Sequence, residues 1–201
     1  MEIKRFVNKI FNSNTFLLTK KEEENVWIID PGDSSSLISD WIKNEKRNLA
    51  GVLLTHAHFD HIYGLNHLIE VFPSAEIYAS PFAKEIMASP KLNGSLYQEI
   101  PFTIHKPSYN FIGEGDTINL WKTTILFVYE TPGHSPDCLS FFVENMLFTG
   151  DAFIPGVKVF TKLTNGNKFT AERSIQKIFD FFDSKTLIYP GHGESSTLMY
   201  H

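Results

Sequence analysis

The sequence predicts an α/β fold with two β-rich layers and helices on the outside. Three observations carry that expectation. Short apolar runs of strand character recur along the chain, amphipathic helical stretches lie between them, and both halves run strands first and then a strand–helix–strand unit. No low-complexity tract or long Pro/Gly/Ser linker interrupts the 201 residues, so a single domain spanning 1–201 is expected.

In the first half, strands are expected at 15–19 (TFLLT), 26–30 (VWIID), 51–55 (GVLLT) and 76–79. The charge run Lys20, Lys21, Glu22, Glu23, Glu24 reads as a solvated turn between two of them. Residues 34–44 open with serines able to cap a helix and set Leu37, Ile38, Trp41 and Ile42 on one face. Residues 63–72 space Leu65, Leu68, Ile69 and Phe72 in the same way, and Pro73 stops that helix. The second half predicts strands at 124–129, 138–143, 146–149 and 187–189. Its helix at 170–182 carries Ile175, Ile178, Phe179 and Phe182 on one stripe, with Thr170 as the cap.

Composition excludes several classes. A net charge of −5 argues against a protein built to grip nucleic acid. The single cysteine, Cys138, cannot form an internal disulfide and reads as a small buried residue at a strand start. No apolar run approaches the roughly 20 residues of a membrane span. The N-terminal stretch, broken by Asn8, Lys9, Asn12 and Ser13, lacks a signal-peptide pattern, so a cytoplasmic location with no membrane partner is expected. Eight histidines remain to be explained.

The informative places are the strand ends. The run at 51–55 leads directly into His56-Ala57-His58-Phe59-Asp60-His61, and three more strands end in Thr131-Pro132-Gly133-His134, Gly150-Asp151 and Gly191-His192-Gly193. Rigid strands fix the loops that carry chemistry, so four such loops are expected to converge on one edge. In an extended segment His56 and His58 project to one side and Asp60 continues the alternation, while His61 begins the turn into the next helix. Imidazole nitrogens and carboxylate oxygens without thiolate suit Zn²⁺, and also Fe or Mn. With His134, Asp151 and His192 the set is too crowded for one tetrahedral ion, and seven N/O ligands suit two ions sharing a carboxylate and a hydroxide. His67, on the 63–72 helix, reads as a surface or supporting residue. His105 and His201 read as ordinary exposed residues.

These motifs, together with Asp30-Pro31-Gly32, resemble those of the metallo-β-lactamase-fold hydrolases, and within them the glyoxalase II-like (hydroxyacylglutathione hydrolase-like) branch. The resemblance spans residues 30 to about 196 and implies a four-layer αββα sandwich with the metal site at one edge of the two sheets. It implies one ion on His56, His58 and His134, a second on Asp60, His61 and His192, Asp151 bridging, and Asp30 orienting a ligand. The ions would be Zn²⁺ first, with Fe or Mn as alternatives. The implied reaction is attack of a metal-bridged hydroxide on a thioester or similar small acyl substrate, with Asp60, His58 and Asp151 in the catalytic machinery. A glutathione thioester is one candidate substrate. Phe59, Tyr63, Phe153 and Phe160 would wall an apolar pocket, and Lys158 and Lys162 would meet a substrate carboxylate.

The match thins in two places. Only nine residues follow His192 (201 − 192), so the C-terminal helical portion of glyoxalase II is expected to be absent. Residues 152–167 also depart from the pattern often found in thioesterase relatives. The main alternative is a mononuclear iron glutathione-persulfide dioxygenase. A nuclease or lactonase of the same fold is less favoured, and a β-lactamase or a metal-storage role less still.

Overall fold

Side-chain alternation along the strands sorts the apolar residues into three separate cores, which is how two sheets come to carry four layers. The computed structural model describes residues 1–33, 36–104, 108–163 and 165–198. Strands Glu2–Val7 (β1), Asn14–Thr19 (β2), Asn25–Ile29 (β3), Asn48–Leu53 (β4), Glu76–Ala79 (β5) and Asn110–Phe111 (β6) form one six-stranded sheet in chain order. Strands Thr117–Trp121 (β7), Thr124–Glu130 (β8), Leu139–Val143 (β9), Met146–Gly150 (β10), Leu187–Pro190 (β11) and Ser196–Thr197 (β12) form the second, in the order β12-β11-β10-β9-β8-β7.

On β3, Trp27 and Ile29 face the space between the sheets while Val26 and Ile28 face outward. The inter-sheet core joins them to Phe16, Leu18 and Leu53 on one side and Leu126, Phe141 and Phe148 on the other. Two indoles tie the layers reciprocally: Trp27 Nε1 donates to the Leu120 carbonyl and Trp121 Nε1 to that of Asn25, each at 2.9 Å. Outside the first sheet lie helices Leu37–Asn44 (α1), Phe59–Ile62 (α2), Leu65–Val71 (α3) and Ala83–Met87 (α4), where Ile38, Ile42, Leu65 and Leu68 cover Val26, Ile28 and Val52. Outside the second sheet lies Lys168–Phe181 (α5), whose Ile178, with Phe182 beyond it, covers Leu147 and Ile188. Each such large apolar side chain contributes about 1.5–3 kcal/mol by burial. The result is the predicted αββα sandwich. The helical crossovers join the parallel pairs β3–β4, β4–β5 and β10–β11, as parallel pairing requires.

Several local expectations are corrected. The helix expected at 63–72 is α3, and a separate short helix, α2, precedes it across Tyr63–Gly64 and contains Asp60 and His61. Gly64 has the Asp33 carbonyl oxygen 2.0 Å from where a Cβ would stand, so that close approach fixes the break. Leu37 is 65% exposed rather than on the buried face of α1. Ser34 and Ser35, expected to help cap that helix, lie outside the described residues, and Ser36 stands at the N-cap with its hydroxyl donating to Asp40 Oδ2 at 2.5 Å instead of accepting from a backbone N–H. For α5 the cap is Asn167, whose side chain accepts from the Thr170 N–H, and not Thr170 itself. His67 joins α3 to α1 through Ser39 Oγ at 3.0 Å, while His105 and His201 lie outside the described residues. Cys138 is buried just ahead of β9. Among the described residues, no helix is long and apolar enough to cross a membrane.

Candidate metal centre

Four strands deliver their following residues to one edge. β4 ends at Leu53, and residues 54–58 continue as irregular backbone into α2. His56 and His58 therefore sit just past the strand, on irregular backbone in which His58 is still extended, and Asp60 reaches the same place from the helix. The loop is pinned at both ends. The Thr55 N–H donates to Asp30 Oδ1 at 2.8 Å and the Thr55 hydroxyl to Asp30 Oδ2 at 2.5 Å. The Ala57 N–H donates to Asp137 Oδ2 at 2.8 Å.

Glycines set the other loops. The β10–β11 register slips between Phe148 and Gly150, and Gly150 has φ +50° with Thr55 Oγ1 2.3 Å from any Cβ. That kink turns Asp151 inward. Gly191 leaves room for Asp151, whose Oδ1 lies 2.2 Å from the position a Cβ there would take.

Two triads of donor atoms result, His56 with His58 and His134, and Asp60 with His61 and His192. Each has its atoms within 4.8 Å of one another. His58 Nδ1 faces His134 Nε2 at 2.8 Å, and His134 Nδ1 donates to the Phe160 carbonyl at 2.7 Å, which leaves its Nε2 bare toward the centre. In the second triad, His192 Nε2 lies 3.2 Å from Asp60 Oδ2, while its Nδ1 donates to the Phe11 carbonyl at 3.1 Å. Asp151 lies between the triads: Oδ1 is 3.5 Å from His61 Nε2, and Oδ2 is 3.6 Å from His134 Nε2 and 3.5 Å from His192 Nε2. Asp30, His56 and His61 also fall close enough to hold an ion. Both Asp30 oxygens are already engaged, however, since Oδ2 takes the His61 Nδ1 proton at 3.0 Å besides the Thr55 bonds.

The residues fit a cation. Among the described residues, four buried side-chain polar atoms lack a hydrogen-bond partner, and His56 Nε2, His61 Nε2 and Asp151 Oδ1 are three of them. Left bare, each such atom costs about 1–3 kcal/mol. All three point into the same nitrogen- and oxygen-lined space, a donor chemistry suited to Zn²⁺, Fe or Mn.

Electrostatics separate the triads. Burial, then repulsion from neighbouring imidazoles, holds His56 well below the usual histidine range, and burial and His134 push His58 down to about 3. Burial alone would also lower His61 and His192. The charges of Asp60 and Asp151 reverse it for His61, which is raised well above the usual range, and the carboxylates of Asp151 and Asp60 lift His192 to about 9. Asp60 and Asp151 are correspondingly lowered against burial, chiefly by His61.

A cavity of about 310 Å³ opens over the cluster, lined by Phe59 and Phe160 as expected and also by Phe11, Tyr97, Gln98 and Leu163. Four expected wall or contact residues lie elsewhere. Phe153 is buried against Phe179 under α5, because the turn after Asp151 directs it into the outer core. Tyr63, past the end of α2, packs edge-on against Phe102. Lys158 is exposed in a separate groove beside Ile175 and Phe179, and Lys162 is exposed and does not line the cavity. Sequence reasoning missed two supports. One is buried Asp137, held by the Ser135 hydroxyl and raised above the usual carboxylate range by burial. Its placement between a motif turn and an apolar strand is the same signal that marked the other loops. The other is the β1–β2 loop, where the Ser13 hydroxyl donates to the Asp60 carbonyl at 2.6 Å and the Asn14 N–H to that of Gly191 at 2.7 Å.

A paired His/Asp cluster at the strand-end edge of an αββα sandwich marks the class as metal-dependent hydrolases. The chain belongs to the metallo-beta-lactamase superfamily, whose family model matches residues 9–193. It is 30% identical to the probable metallo-hydrolase M6_Spy0554 of Streptococcus pyogenes serotype M6, over 100% of this chain and 87% of that protein. It is 33% identical to a hydroxyacylglutathione hydrolase of Francisella tularensis subsp. novicida, over 75% of this chain and 52% of that protein. The structure superposes on that of the BLEG-1 B3 metallo-beta-lactamase with a TM-score of 0.89 at 28% identity, covering 98% and 94% of the two chains.

Proposed function

We propose that the protein is a binuclear hydrolase of thioesters or similar small acyl compounds, of the glyoxalase II type. His56, His58 and His134 would hold one ion and Asp60, His61 and His192 the other. The observation that carries the reading is Asp151, a single carboxylate with one oxygen toward His61 and the other toward His134 and His192. Two divalent cations in these groups would supply Lewis acidity and water acidified toward a pKa of about 7.

The chain's own residues do the rest. Asp60, 10% exposed at its side chain and facing the cavity, orients the attacking water while binding. Phe59 and Phe160 keep bulk water from the acyl group. His192, the most open of the donors, faces the mouth where the thiol leaves. Water and thioester give acid and thiol, and no serine or cysteine nucleophile is needed. Cys138 has its thiol pushed up well above its usual range by burial.

The test is metal analysis of the purified protein alongside S-lactoylglutathione hydrolysis. About two ions per chain with turnover supports the reading. One iron per chain with oxygen consumption on glutathione persulfide would replace it with the dioxygenase, and efficient nitrocefin hydrolysis without thioesterase activity would replace it with a β-lactamase.

A further inference from the structure

Large apolar side chains crowd the mouth of the cavity from three separate segments. Phe11 is 67% exposed, Tyr97 74% and Phe160 53%. None of them is there by default. Phe11 holds φ +54°, a left-handed conformation costly for a bulky residue, and so does Asn12 beside it. The strained turn accomplishes two things together: the Phe11 carbonyl accepts from His192 Nδ1, and the Phe11 ring meets Phe59 edge-on at 5.3 Å over the cavity. Tyr97 is presented by a 3₁₀ turn, Ser95–Tyr97, anchored where the Phe59 N–H donates to the Asn93 carbonyl at 2.8 Å. Phe160 is tied through its carbonyl to His134. Exposed apolar groups gathered around a cleft mark a site for apolar matter.

Charge gives the complementary fact. Among the described residues lining the cavity none is a lysine or arginine, and outside the His/Asp cluster its polar side chains are Asn93, Gln98 and the Tyr97 hydroxyl. S-Lactoylglutathione carries two carboxylates and an ammonium group, and among the described lining residues its carboxylates find no lysine or arginine, while His192 is already engaged by Asp60 and Asp151.

From this rim we infer that the preferred substrate class is an uncharged thioester with an aromatic or branched apolar group, seated among Phe11, Tyr97 and Phe160, and not a glutathione conjugate. This deepens, and rests on, the hydrolase reading above. Phe11 is then a specificity residue, touching substrate with its ring and His192 only with its main chain.

The test compares the zinc-loaded protein and its Phe11→Ala and Tyr97→Ala variants on the phenylacetyl and acetyl thioesters of N-acetylcysteamine and on S-lactoylglutathione. Wild type should favour the phenylacetyl thioester over S-lactoylglutathione by at least about tenfold in kcat/KM. Each variant should lose roughly tenfold on the phenylacetyl thioester through KM, and no more than about twofold on the acetyl one, as loss of an apolar contact requires. A preference for S-lactoylglutathione, or equal losses on both neutral thioesters, overturns the inference. Binding is read separately by saturation-transfer NMR with phenylacetanilide and S-methylglutathione, neither of which is hydrolysed as a thioester. The anilide should bind and weaken in Phe11→Ala. Stronger binding of S-methylglutathione overturns the inference whether or not any thioester turns over. Anilide binding as expected with no thioester turnover would leave the pocket chemistry standing and remove the hydrolase reading instead.

Discussion

The two donor triads differ in what they hold before a cation arrives. His56, His58 and His134 form an all-imidazole group, and burial with mutual repulsion keeps His56 and His58 neutral at pH 7. Asp60, His61 and His192 form a charge-paired group, in which Asp60 and the adjacent Asp151 keep protons on His61 and His192. Neutral imidazoles offer their lone pairs at once, while protonated ones must release a proton for each metal bond. The first triad is built to bind a cation directly and the second to exchange protons for one.

Removing a donor tests the contrast most harshly. His58→Ala should strip the first triad and lower hydrolysis by roughly a hundredfold or more, read by metal analysis and steady-state kinetics. Full activity in that variant would break the binuclear scheme. Next comes Asp151→Asn, which removes the carboxylate reaching both triads and should leave about one ion per chain. Two tightly held ions in that variant would contradict a bridging role.

The pH dependence is the direct comparison. His192 titrates at about 9 in the metal-free chain, so below that pH protons compete with the cation at the second triad. Apparent affinity there should rise with pH, by about tenfold per unit for each proton displaced, from pH 6 toward 9. His58, at about 3, and His56, held well below the usual range, are already unprotonated throughout that range, so these two donors should release no proton there. Calorimetric zinc titrations in buffers of different ionisation heat count the protons released. Equal release from both triads would erase the distinction. The smallest effect is expected from Asp30→Asn, since an amide oxygen at the Oδ2 position leaves the NH2 group facing the Thr55 N–H, and the reverse orientation loses the His61 and Thr55 hydroxyl bonds. It should weaken the second triad by roughly 10–100-fold with the donors intact.

Much of the site was legible because apolar strands stop abruptly at His, Asp and Gly, and strand ends are where a sandwich gathers its loops. The seven candidate residues lie together at the strand-end edge. The route differs in part: His56 and His58 lie past the end of β4 on a loop pinned by Asp30 and Asp137, and Asp60 arrives on a helix. Contacts between distant segments were not legible. Ser13 and Asn14 look like ordinary polar residues until the fold lays them against Asp60 and Gly191, with Asn8 holding the Ser13 hydroxyl. Phe153 and Lys158 sit close to Asp151 in sequence, but the chain reverses there and carries them to the far side of the second sheet. Of the missed strands, β1 lacks a buried face and β6 and β12 have two residues each, so none shows a clean alternation. β7 does alternate, with Ile118 and Leu120 inward, and its signal was present but short.

The carbonyls of Phe11 and Phe160 have a consequence for how such a protein diversifies. Each orients a histidine through the main chain, a bond that survives any exchange of the ring itself. Mutation can therefore retune what enters the mouth while the bonds that aim His192 and His134 are inherited unchanged. On the reading proposed above, substrate choice and metal retention would be written in different atoms of the same two residues, and a lineage could drift in one while conserving the other.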